Sequence, residues 1–300
     1  MSRLDFKYTK LGPVGLCIYC GANDELTDEH IIPYALGGGI QLVAASCREC
    51  AGVTHKFEGV VGRQIFGPMR TRHEFPTRHK KDRPEHMPLT VLRGGQLEEV
   101  AIARHEHPAF TPVAWLQPCK ILDGYEGDQR PIRLRLMANE GVTAEQLGAD
   151  AIQFEATFNL SAFHRFLAKL AHCFAVLYLG IDGFDAWLLP LILKGEGDAE
   201  LWIGGDYREL PPDSRPDRSN AHSMQVSLYR TKTHGHVCGV TIRLFCNWFV
   251  DPAPFGMPEY HAIVGAVNAR TEGRLASGPF FPIISQNERP TGAAVRQKAD

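Results

Sequence analysis

The chain has 300 residues, 44% of them hydrophobic, which suffices to bury one large core or to join a small module to a larger domain. Lys and Arg number 32 against 34 Asp and Glu, a net charge of -2, so the chain as a whole is no polyanion binder and any nucleic-acid surface must be local. No run of about 18 apolar residues occurs, and Met-Ser-Arg-Leu-Asp-Phe-Lys lacks the order of a signal peptide, so no membrane association and a cytoplasmic location are expected.

Residues 1–16 are a lead-in broken by Gly12-Pro13 and Gly15. Cys17 and Cys20 then form one C-x-x-C pair, and Cys47 and Cys50 a second, with 26 residues between them. In a cytoplasmic protein such pairs are metal ligands or redox groups more often than disulfides. Each pair can place two sulfurs on one edge of a tetrahedron, so the two together predict a closed, structural Zn2+ site that staples a module too small for a full core. The other four cysteines, Cys119, Cys173, Cys238 and Cys246, lie in apolar surroundings and read as core residues.

Between the pairs, Glu29 to Ile32 is extended, Pro33 ends the strand, and Gly37-Gly38-Gly39 forces a turn. From Ser46 onward, Cys50, Thr54, Phe57, Glu58 and Val61 recur at helical spacing. Residues 63–83 are basic and punctuated by prolines, either a solvated linker or a phosphate-contacting arm.

Beyond Pro88, alternation predicts a hairpin of Pro88–Leu92 with Gln96–Ala103 across Gly94-Gly95, then strands at Val113–Leu116 and Ile132–Met137. Thr143 and Gln146 form a capping box that predicts a helix start. The clearest helix runs from Ser161 to about Leu179, with Phe163, Phe166, Leu167, Leu170 and Phe174 on one stripe, Arg165, Lys169 and His172 off it, and Gly180 as its stop. Trp187–Leu193 is of ambiguous type, and Gly204–Asn220 reads as an irregular loop. Met224–Tyr229, Val237–Phe245 and Tyr260–Val264 suit an antiparallel meander, followed by a weakly structured tail. His234-Gly-His236 lacks a carboxylate or cysteine at compatible sequence spacing and does not by itself make a second metal site.

The run Asp28-Glu29-His30-Ile31-Ile32-Pro33, in register with both cysteine pairs and followed by Leu36-Gly37-Gly38, resembles the zinc-stapled HNH endonucleases over about residues 15–60. The resemblance implies a ββα-metal module and metal-dependent hydrolysis of nucleic acid, DNA above all. It makes His30 the general base, Glu29 the hairpin ligand of a catalytic Mg2+, Mn2+ or other divalent cation, and His55, with Glu58 beside it, the helix ligand. Two positions depart from the family: Ala51 stands where a His or Asn ligand is usual, and Leu42 stands at the central Asn, leaving Gln41 or a backbone carbonyl to orient His30. With that reading, Arg72, Arg78, Lys80, Lys81 and Arg83 become the expected backbone-contacting cations.

The expected fold class is therefore α+β: an HNH-like ββα-metal module at residues 1–62, a basic linker or arm at 63–88, and a larger α+β domain with antiparallel strands at 89–300, through which the chain can form oligomers. Two other readings remain open. One is a degenerate zinc module that binds nucleic acid or a protein partner without catalysis, and the other is a redox protein using C-x-x-C.

Overall fold

The computed structural model describes residues 9–77, 80–128, 130–208, 222–231, 233–245 and 257–276. The N-terminal part is a small three-stranded sheet with a helix. Strand β1 (Thr9–Leu11) pairs in parallel with β3 (Ile40–Cys47), which pairs antiparallel with β2 (Leu26–His30). Helix α1 (Arg48–Val60) follows β3 at once. The glycine turn between β2 and β3 is tight: Gly37 has φ 83°, and a Cβ on Gly38 would stand 1.7 Å from the Ile32 carbonyl oxygen.

The basic passage contains a π-turn at Val61–Ile65 and the short helix α2 (Gly67–Arg72), and its prolines allow nothing longer. The predicted hairpin forms as β4 (His86–Arg93) with β5 (Gln96–Ala103), and β8 (Ala151–Gln153) adds on the other side of β4. Strand β6 (Thr111–Trp115) pairs with β7 (Arg133–Met137), with the one-turn helix α3 (Lys120–Asp123) between them. The capping box forms both of its reciprocal bonds, Thr143 N to Gln146 Oε1 at 2.9 Å and Gln146 N to Thr143 Oγ1 at 3.3 Å. It caps only a 3-10 turn, Glu145–Leu147, because left-handed Gly148 ends it.

Helix α4 (Leu160–Leu179), capped by Asn159 and stopped at Gly180, is the axis of the molecule. The single apolar stripe expected of it understates its burial. Lys169 and His172, placed off the stripe, are as buried as Phe166 and Phe174, because α4 is covered on opposite sides by α1 and by a sheet. That sheet is four-stranded, antiparallel and ordered β10 (His222–Thr231), β11 (Gly235–Leu244), β12 (Met257–Ala266), β9 (Ile203–Arg208), so the predicted meander holds. The segment at Trp187–Leu193 resolves into α5 (Leu189–Lys194), followed by α6 (Ala199–Trp202), and α7 (Ala269–Ala276) comes after β12. Most of the expected loop at Gly204–Asn220 and the tail after Pro282 lie outside the described residues; the loop's first positions belong to β9.

One hydrophobic cluster joins the N-terminal module to α4 and the four-stranded sheet. It contains Ile31, Leu42 and Phe57 of the N-terminal module, Phe66 and Phe75 of the basic passage, Phe166 and Phe174 of α4, and Val240 and Ile242 of β11. Phe245 closes the junction, 4.8 Å from Phe66 and 5.6 Å edge-on from Phe75. The core is thus continuous across the sequence positions 62 and 88.

Candidate functional site

The first cysteine pair sits in a turn in which Gly21 N bonds Cys17 O at 2.9 Å and Cys17 N bonds Ala22 O at 2.7 Å. The second sits at the start of α1, where Cys47 is the N-cap and its Sγ accepts from Cys50 N at 3.5 Å. Ile18 N to Ala45 O, 2.8 Å, ties the two turns together. All four Sγ atoms lie within 4.8 Å of one another, and Cys20 and Cys47 are 3.7 Å apart. Tetrahedral Zn–S bonds of about 2.3 Å require S–S separations of about 3.8 Å, so the cluster suits a structural metal such as zinc. Burial, then the neighbouring thiols, push the Cys50 thiol far up. A redox C-x-x-C needs one dithiol, not four converging sulfurs.

The polar face of the small sheet is built by register. Lys10 pairs with Gln41 across β1 and β3, and Gln41 pairs with His30 across β3 and β2, which sets the three side chains abreast on one face. Gln41 Nε2 lies 2.6 Å from His30 Nε2, so Gln41 is the group that orients the imidazole at the position where Leu42 replaces the family's Asn. His30 is half-buried with Nδ1 enclosed, and Nε2 is the nitrogen that meets Gln41. Asp28 occupies a bulge just before this pair and accepts from Ala44 N at 3.3 Å. Lys10 Nζ reaches Asp28 Oδ2 at 2.7 Å, and that bond holds the Asp28 carboxyl below the usual range.

Glu29 points the other way. The bulge precedes it, and Glu29 and His30 then pair regularly with Leu42 and Gln41, so adjacent side chains face opposite sides of the sheet. Glu29 is 6% exposed and faces the interior, where Glu58 of α1 and Lys169 of α4 meet it. The Lys169 ammonium is 2.8 Å from Glu29 Oε1 and 2.8 Å from Glu58 Oε1, the latter off the hydrogen-bond direction. It also donates to the His30 carbonyl and, at 3.2 Å, to that of Ile31. Burial alone would lower the Lys169 pKa, but the Glu29 and Glu58 carboxylates outweigh it and hold the amine well above the usual lysine value. Burial lifts the Glu58 carboxyl above its usual range against the pull of Lys169.

This arrangement does not fit the catalytic cation expected at Glu29, His55 and Glu58. A divalent ion about 2.1 Å from Glu29 Oε1 would stand within about 5 Å of the ammonium. Their repulsion is roughly 7 kcal/mol at an effective dielectric of about 20. His55 is exposed on α1 and does not join the carboxylates: among the described residues the four cysteines are the sole group of three or more His, Cys, Asp or Glu whose ligand atoms converge. Sequence reasoning passed over Lys169, although a lysine in the middle of a long apolar helix signals a buried counter-charge. It passed over Lys10 as well, because nothing in the lead-in foretells that β1 joins the sheet.

The basic passage is largely engaged in its own architecture. Arg72 donates to the carbonyls of His107 and Glu140, Arg83 donates to that of Phe75 and faces Glu74 at 3.8 Å, and Arg70 holds Ala35 O at 2.6 Å and Gly62 O at 2.8 Å. Lys81 is exposed, Arg78 lies outside the described residues, and so does the side chain of Lys80. An open cleft of about 810 Å³ borders the passage, and its lining balances Arg63, Arg70 and Arg83 with Asp82, Glu99 and Glu155. In the larger domain His236 pairs with Glu272 at 2.7 Å, while the His234 ring packs 5.1 Å from Trp187.

Residues 17–65 match the family described as HNH endonuclease, a stretch that takes in both cysteine pairs, the hairpin and α1. No curated protein matches the chain, and no solved structure matches it.

Proposed function

We propose, from the premise that residues 17–65 are a module of the HNH endonuclease family, that the protein cleaves phosphodiester bonds of nucleic acid, with DNA the expected substrate, and that His30 is the general base. The observation that carries this reading is the His30–Gln41 contact at 2.6 Å on the polar face of the sheet, which holds the imidazole where a phosphate can approach. In this reading the water attacking phosphorus passes its proton to the His30 imidazole. Lys10 and Lys81 supply cationic contacts to the nucleic-acid backbone. Zinc on the four cysteines keeps the turns beneath the hairpin in place, and Glu29 pairs with Lys169 in the interior.

The test is nicking of supercoiled plasmid by the zinc-loaded full chain, with Mg2+, Mn2+, Ni2+ or Co2+ added in turn, beside His30→Ala. The substitution is expected to lower the rate about 10²- to 10⁴-fold while the circular dichroism spectrum stays unchanged. The Lys169 ion cluster favours a second reading, a non-catalytic zinc module that binds nucleic acid or a protein partner. Absence of nicking by wild type under every metal would favour that one, and equal nicking by wild type and variant would end the assignment of His30 as base.

A further inference from the structure

We propose that Lys169 is the built-in cation of the N-terminal module: its ammonium fills an oxygen cage that would otherwise take a divalent metal ion, and the wild-type protein binds no such ion at Glu29 and Glu58. The cage has four walls from four residues. Two are carboxylate oxygens, Glu29 Oε1 and Glu58 Oε1, each 2.8 Å from Nζ. Two are the carbonyl oxygens of His30 and Ile31. Carboxylates and carbonyls converging on one point are the ligand chemistry of hard divalent cations such as Mg2+, Mn2+ or Ca2+. Here the point is occupied by the end of a side chain that is 0% exposed and arrives 139 residues later in sequence.

Several features suit the amine to this place. Its N–H groups satisfy the carbonyls on either side of the His30–Ile31 junction, so the same group that neutralises Glu29 also fixes the backbone of the residue read as the base. Neighbouring turns of α4 support it: His172 Nε2 donates to Ile18 O at 2.8 Å, and Cys173 Sγ lies 3.3 Å from Tyr19 Oη. Lys169 is therefore a positioning residue for the hairpin. Being fully buried, it cannot itself touch a phosphate.

The experiment is a Mn2+ titration of the zinc-loaded full chain followed by the electron paramagnetic resonance signal of free Mn2+. It reads binding alone, so its outcome is independent of whether the protein cleaves nucleic acid. Wild type is compared with Glu29→Gln and Glu58→Gln, and with Lys169→Ala alone and combined with Glu29→Gln. The proposal expects indistinguishable titrations for wild type and the two Gln variants, a newly gained Mn2+ site in Lys169→Ala, and loss of that gain in the double variant. Mn2+ binding by wild type that disappears in Glu29→Gln or Glu58→Gln would overturn it, as would a folded Lys169→Ala protein that gains no site. Should Lys169→Ala fail to fold, the comparison of Lys169→Gln, a neutral chain of similar length, with wild type replaces it. Unchanged Mn2+ binding with a hairpin newly open to hydrogen exchange at Ile31 and Ile32 supports the positioning role, and unchanged exchange refutes it.

Discussion

At the scale of single residues, the candidate site divides between two faces of one strand. His30 and Glu29 are adjacent, yet one meets Gln41 at the surface and the other meets Lys169 in the interior. Pattern matching sees the pair as a unit because the letters are contiguous; the pleat separates them because the bulge at Asp28 is spent before either is reached. Lys10 is the residue whose role follows most directly from register. It is exposed, abreast of Gln41 and His30, and its ammonium lies 2.7 Å from the exposed Asp28 carboxylate. Lys10→Ala is expected to weaken binding of a DNA duplex uniformly across sequences and to reduce the slope of log affinity against log salt by about 1. Fluorescence anisotropy over a salt series, without added divalent ions, measures it; an unchanged slope would remove Lys10 from the interface.

At the scale of elements, legibility tracked how many sides of an element are covered. The two cysteine pairs and the hairpin of β4 and β5 were readable because each depends on local spacing or on a two-fold alternation with one face outward, while the C-terminal meander was readable as short β-rich runs even though β11 is buried on both faces. Helix α4 was readable in extent but not in role. Period 3.6 identifies a buried face only where the opposite face meets water, and α4 has α1 on one side and the four-stranded sheet on the other. The helix expected at Thr143 shows the converse: its cap chemistry is real, but Gly148 stops it after one turn. The turn between β2 and β3 offers a sharp check on the hairpin. Gly38→Ala puts a methyl group 1.7 Å from the Ile32 carbonyl oxygen, which only a backbone shift can relieve. A loss of roughly 1–3 kcal/mol is expected in urea unfolding of the zinc-loaded protein, with the amides of Ile31 and Ile40 the first to lose protection.

At the scale of the whole molecule, the larger domain holds the module through buried polar side chains aimed at its backbone. Lys169 takes the carbonyls of His30 and Ile31, His172 that of Ile18, and His222 of β10 that of Leu36 at 2.7 Å. None of these was legible beforehand, since a donor to a distant carbonyl leaves no spacing in the sequence. His222 makes the junction sensitive to pH. Burial pushes its imidazole down to about 4 from an ordinary value of 6.5, against the pull of the Leu36 carbonyl. The unfolded chain therefore takes up the proton first as pH falls. The stability due to neutral His222 is fully present above about 6.5 and is lost between 6.5 and 4, with a slope of up to about 1.4 kcal/mol per pH unit. His222→Gln, which can still donate to Leu36 O, is expected to flatten the fall in unfolding free energy between about pH 6.5 and pH 5 relative to wild type. Parallel slopes would show that His222 is protonated alike in both states.

The distance along the chain between the oxygen cage and its amine also sets an order of events. The hairpin with Glu29 and His30 leaves the ribosome first, and Lys169 is added 139 residues after His30. At about 5–20 residues per second, that is roughly 7–28 seconds of synthesis. Until Lys169 is made, Glu29 and Glu58 lack the charge that neutralises them, and the His30 and Ile31 carbonyls lack their donor. Only when α4 emerges can these contacts form, so the small module is completed by a residue made long after its own chain.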